Sequence, residues 1–148
     1  MTVLEDFMAT REVDVRTEWL RILNRELDPK APMINTNLLV RTYQYIETHP
    51  EEYNQRIWGW HRVFHADQFC FAGHAAIQAG ARPVRHPLGR FGWLPKVITP
   101  DGRRMKVDAY AEEALGLTKH QSDVVFSEFA SKGLIRDSIR QWTGIDPR

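Results

Sequence analysis

Apolar residues recurring at helical spacing, capping residues at the ends of those runs, and a single turn sequence between short β-prone runs predict a mainly α-helical fold. The expected architecture is five or six helices around a buried central helix at about 69–80, with one short β-hairpin at about 97–107. A chain of 148 residues falls within the usual size of one domain. Residues 1–148 are therefore expected to form a single domain, with 1–32 a candidate appended N-terminal helix.

The elements follow in order. From Asp14 to Leu27, Val15, Trp19, Ile22/Leu23 and Leu27 keep helical spacing, and Asp28-Pro29-Lys30-Ala31-Pro32 ends the run. A second helix starts near Asn35/Thr36, puts Leu39, Tyr43 and Ile46 on one face, and stops before Pro50. Thr48, Pro50 and Glu51 then form the signature of a fresh helical turn, with Thr48 as cap. Residues 57–64 fit neither period, and their conformation stays open. Phe69, Ala72, Gly73, Ala76 and Ile77 give the central helix a face of small side chains, closed by Gly80.

Pro83, Pro87, Gly89, Gly92 and Pro95 predict a long loop with Phe91 and Trp93 as aromatic anchors. Val97-Ile98-Thr99 and Met105-Lys106-Val107 flank Pro100-Asp101-Gly102, which reads as the hairpin. Asp108 can cap a helix through Leu115, Gly116 can end it, and Thr118 with Gln121 forms a capping box for a helix reaching Ala130. A last helix covers roughly Leu134 to Trp142.

Composition narrows the function classes. Hydrophobic content of 43% argues against general disorder, and the one cysteine, Cys70, rules out an intrachain disulfide. With no apolar stretch resembling a secretion signal or membrane span, a cytoplasmic protein is expected. The net charge of +1 is unevenly spread: residues 82–106 carry 7 Lys/Arg against 1 Asp/Glu. Such a basic segment attracts phosphate or an acidic protein surface, whereas its bland reading is a solvated loop.

Three motifs carry a resemblance: Ile46-Glu47-Thr48-His49-Pro50-Glu51 through Gln55, Cys70-Phe71-Ala72-Gly73-His74-Ala75, and Ala114-Leu115-Gly116-Leu117-Thr118. Over roughly residues 36–130 the chain resembles a family of small uncharacterised mycobacteriophage and actinobacterial proteins. The resemblance implies a source rather than a reaction, placing the protein in the host cytoplasm if phage-encoded. Relatives often show Cys-Gly-Thr where this chain has His65, Ala66 and Asp67, so a two-cysteine site is not available here.

Several constellations could carry chemistry. Cys70 and His74, four apart on a helix, with Gln68 nearby, fit a cysteine-dependent hydrolase on paper, although two residues of one helix leave little room for a substrate between them. The bland reading makes Cys70 a small buried residue and His74 a hydrogen-bonded edge residue. His61, His65, Cys70 and His74 are ligand types suited to tetrahedral zinc, but the spacing matches no standard finger. Ala114 to Thr118 followed by a helix has the look of a helix-turn-helix. Ser122 stands where that motif buries a branched apolar residue, and Asp123 and Glu128 would repel phosphate. No glycine-rich phosphate loop, paired acidic metal site or Ser/His/Asp signature is present.

The expectation is thus a non-enzymatic protein without cofactor or bound metal. It would engage a host or partner protein through a basic-aromatic surface of Arg85, Arg90, Phe91, Trp93, Arg103 and Arg104. Nucleic-acid binding through the same segment is the first alternative, and the Cys70/His74 hydrolase is the second.

Overall fold

The computed structural model describes residues 33–60, 66–86 and 92–148. The expected helix at 14–27 and the candidate appended segment 1–32 lie outside them. Helix covers 49% of the described residues and strand 18%, so the fold is mixed α/β, not mainly α with one hairpin.

Helix α1 spans Thr36–Thr48. Asn35 caps it by accepting the Leu38 N–H at 3.1 Å, and Leu38, Leu39, Tyr43 and Ile46 form its buried stripe. Proline at 50 disfavours helical backbone at His49, and the chain turns into a single 3₁₀ turn at Pro50–Glu52. Thr48 does not cap that turn. Its hydroxyl bonds back to the carbonyl oxygens of Gln44 and Tyr45.

Two short strands, β1 (Gly59–Trp60) and β2 (Gln68–Phe69), pair antiparallel and lead into helix α2, Phe71–Gln78. This helix lies between two apolar clusters. Phe71, Ala72 and Ala75 face the larger one with α1, and Ala76 faces a smaller one with Val97, Val107 and Tyr110. Gly73 is what allows Trp58 onto this helix: a Cβ there would stand 2.7 Å from Trp58 Cζ3.

The main correction concerns residues 82–98. Instead of a loop entering one hairpin, β3 (Arg82–Arg85), β4 (Trp93–Ile98) and β5 (Arg104–Lys106) form a three-stranded antiparallel sheet in the order β3-β4-β5. Of the prolines that argued against strands, the two described ones sit where a strand tolerates them, and Pro87 lies outside the described residues. Pro83 is on an edge strand, and Pro95 lies in the stretch of β4 where the register with β3 jumps from Pro83↔Val97 to Val84↔Leu94.

Helix α3 (Val107–Leu115) follows β5 without a connecting loop. Lys106, not Asp108, occupies its N-cap position, and Asp108 accepts the neighbouring Ala109 N–H. Helix α4 covers Lys119–Val125 with the reciprocal Thr118/Gln121 capping box, and ends short of Ala130. Helix α5, Lys132–Thr143, starts at the Ser131 cap and buries Ile135, Ile139 and Trp142 against α1. Buried Ser122 donates its hydroxyl to Glu112 at 3.0 Å, which ties α4 to α3.

Candidate functional site

The sheet has two unlike faces because strand side chains alternate. Pro83, Val97 and Met105 are cross-strand neighbours on the inner face, and Val97 is completely buried. On the outer face Arg82, Ile98 and Arg104 stand in one row across the three strands, and Lys96 and Lys106 face each other in the next. Arg82, Lys96, Arg104 and Lys106 are all exposed. Among the described residues none of these four forms an ion pair.

The expected site residues distribute unevenly around this face. Arg104 lies on it. Arg85 ends β3 and places its guanidinium carbon 5.4 Å from the centre of the Trp93 ring. Trp93 itself packs inward, its ring 6.2 Å from Phe69, so it anchors β4 more than it offers a stacking face. Arg103 is engaged within the chain: it donates to Asp101 at 2.8 Å and forms a two-toothed pair with Glu113. Arg90 and Phe91 lie outside the described residues. Arg82, Lys96 and Lys106 escaped the sequence reading, although the two-residue spacing of Lys96 from Ile98 and of Arg104 from Lys106 around the turn was available as a signal.

Beside the sheet a cleft of about 600 Å³ opens between β4–β5, the segment 55–58 and helices α3 and α4. Its lining includes Ile57, Trp58, Cys70, Ala72, Val107 and Phe126, with Lys96 and Lys106 along the sheet side and Asp108, Glu112 and Asp123 on the helical side. Gln55 braces the cleft. Its amide donates to the carbonyls of Val125 (3.0 Å) and Ser127 (2.8 Å), and its oxygen accepts from the Phe71 N–H and the Tyr53 hydroxyl.

The structure gives the Cys70 and His74 side chains different surroundings. Cys70 holds the N-cap position of α2 and lines the cleft, where no histidine appears among the described lining residues. Burial pushes its thiol pKa up, outweighing the Gly73 and Ala72 N–H groups that favour the thiolate. His74 instead bonds the Glu52 carbonyl oxygen through Nε2 at 2.6 Å, among the rings of Tyr45, Tyr53 and Phe69. Gln68 donates to the Glu51 carbonyl at 3.3 Å, away from the thiol. Native Cys70 should therefore react with a thiol reagent at neutral pH at least about tenfold more slowly than free cysteine. Rapid labelling together with a depressed thiol pKa would contradict this placement.

Of the zinc alternative, His61 and His65 lie outside the described residues. Among the described ones no group of three or more His, Cys, Asp or Glu side chains is placed to hold a metal.

Burial also lowers the pKa of His74 from its ordinary 6.5, with the nearby His49 acting in the same direction. The unfolded chain therefore binds a proton at His74 more readily than the folded one. The stability this group contributes is complete above about pH 6.5 and declines as pH falls through the interval down to the lowered folded value. Urea unfolding at about pH 7.5 and about pH 5 should show this decline, and His74→Gln should reduce it.

Comparison with family models, with curated proteins and with solved structures finds no match. Among the described residues no helix is long and apolar enough to cross a membrane.

Proposed function

We propose that this is a non-enzymatic binding protein that docks the acidic surface of a partner protein on the outer face of its β3-β4-β5 sheet. One observation carries the reading: Arg82, Lys96, Arg104 and Lys106 share that face around Ile98, with no ion pair to any described residue. An opposing acidic surface would complement them and gain association rate and specificity. The motif resemblance supports a cytoplasmic setting and, for a phage-encoded chain, a host protein as partner.

A protein partner is favoured over nucleic acid by the packing of the expected stacking ring. Trp93, the described member of the expected Phe91/Trp93 aromatic pair, is packed on Phe69.

Affinity capture from a host lysate, with and without nuclease, tests the reading. Capture should survive nuclease and be lost in Arg82→Glu/Arg104→Glu, whose stability should change by less than about 1 kcal/mol because these charges are exposed. If capture disappears with nuclease and the purified protein shifts DNA with a steep salt dependence, nucleic acid is the ligand.

A further inference from the structure

The two edges of the β3-β4-β5 sheet differ in what their backbones offer. Beside the hairpin turn the Thr99 N–H donates to the Arg103 carbonyl at 2.8 Å, which fixes how hydrogen-bonded and non-bonded pairs alternate between β4 and β5. Val97↔Met105 is then a bonded pair, and Ile98↔Arg104 and Lys96↔Lys106 are non-bonded ones. The N–H and carbonyl of Arg104 and the N–H of Lys106 therefore point away from β4, and no described backbone group pairs with them. At the opposite edge, Pro83 of β3 has no N–H to offer. Of the two edges, β5 is the one equipped to receive another strand.

The residues along β5 set what such a strand must carry. Arg104 and Lys106 share the outer face, are exposed and form no ion pair among the described residues. No residue of β3, β4 or β5 is acidic. Near the turn, Asp101 and Glu113 are paired with Arg103, and Asp108 stands beyond the strand in α3. Between the two cations Met105 belongs to the inner face, half-buried against the smaller apolar cluster. A strand laid along this edge alternates in the same way, so carboxylates come beside Arg104 and Lys106 and an apolar residue beside Met105.

We propose that β5 accepts an extended acidic–apolar–acidic segment of the partner as a fourth, antiparallel strand. The third residue of the segment exchanges two backbone hydrogen bonds with Arg104, and the carbonyl of its first residue accepts the Lys106 N–H. Main-chain bonds supply the affinity, and the alternating side chains supply the selectivity. This rests on the partner-docking reading and adds how the acidic partner is held. Lys106 also lines the cleft, so the added strand begins at the rim of the cleft.

The test uses the full ¹⁵N-labelled chain and acetyl-Thr-Glu-Val-Glu-Thr-amide. Saturable shifts of the Arg104, Met105 and Lys106 amides are expected, with slowed hydrogen exchange at Arg104. Methylating the backbone nitrogen of the second Glu leaves the charge untouched and should weaken binding at least about tenfold. Replacing both Glu by Gln should weaken it about fivefold. In the chain, Lys106→Pro should lose more binding than Lys106→Gln, because φ −62° at this position suits a proline and the N–H removed is the outward one. The methylated peptide decides the matter even where that variant is destabilised. Equal affinity for the methylated or the Gln peptide, shifts confined to other surfaces, or no shifts would overturn the proposal. So would slow exchange of the Arg104 amide in the free chain, or shifts at β5 on raising its concentration, which would give the edge to the chain itself or to a second copy. Nuclease-resistant capture lost in Arg82→Glu/Arg104→Glu would, beside any of these, leave the partner reading standing. Strand addition alongside nuclease-dependent capture would keep the edge site and remove the partner reading.

Discussion

Gly116→Ala should destabilise the protein by about 3 kcal/mol or more, seen as a large drop in the urea midpoint or as loss of cooperative unfolding. Gly116 closes α3 with φ +67°, a left-handed conformation that a Cβ disfavours. The more severe effect is steric. A Cβ at this position would overlap the Met33 carbonyl oxygen, because the chain entering α1 runs directly over the end of α3. The Asn35 N–H donates to the Leu115 carbonyl oxygen at 2.7 Å, so that close approach also satisfies one of the unpaired helix-end groups. An alanine must push the backbone of 33–35 away and break that bond. Gly144→Ala is the matched control: it has φ +75° but open space around its Cβ, so it should lose only the backbone part, roughly 1–2 kcal/mol. Equal losses for the two variants would show that the packing of 33–35 on α3 contributes nothing.

Phe71→Ala should cost about 3–5 kcal/mol, the range for deleting a buried phenylalanine side chain. Phe71 is fully buried in the larger cluster, with its ring 6.5 Å from that of Phe126. Urea unfolding should show a lower midpoint at an unchanged slope if the native surface is preserved. The consequence reaches the cleft, since α2 carries Cys70 and Ala72 on one wall and Phe126 stands on another. Partner capture by Phe71→Ala should thus weaken at temperatures where the variant is still folded, whereas Arg82→Glu/Arg104→Glu should lose capture at almost unchanged stability. Loss of capture and stability in the same proportion in both variants would argue against a localised binding face.

The helices were legible in the sequence to the extent that local chemistry decided them. The Asn35 cap, the stop before Pro50, the Gly116 terminus and the Thr118/Gln121 capping box are all made by residues within a few positions of one another. Where two local options competed, tertiary structure chose. Thr48 could cap the next turn or bond back into its own helix, and it does the latter. Asp108 could cap α3, but the strand β5 continues directly into that helix and leaves Lys106 at the cap position.

The sequence by itself determined where the described helices from α1 to α5 lie, though not where α4 ends, together with the Pro100-Asp101-Gly102 turn, the concentration of positive charge in 82–106 and the burial of the small-residue helix at the centre. Only the tertiary structure decided that 82–98 contributes two strands, because a proline is compatible with a strand only at an edge or an irregularity, and pairing partners settle which positions those are. It also decided which cations are available. Arg103 is taken up by Asp101 and by Glu113, ten residues away, while the register of β4 with its neighbours brings Arg82, Lys96, Arg104 and Lys106 onto one face. Charge content is a property of the chain, but ion pairing and facing depend on strand register, which is fixed by contacts between residues distant in sequence.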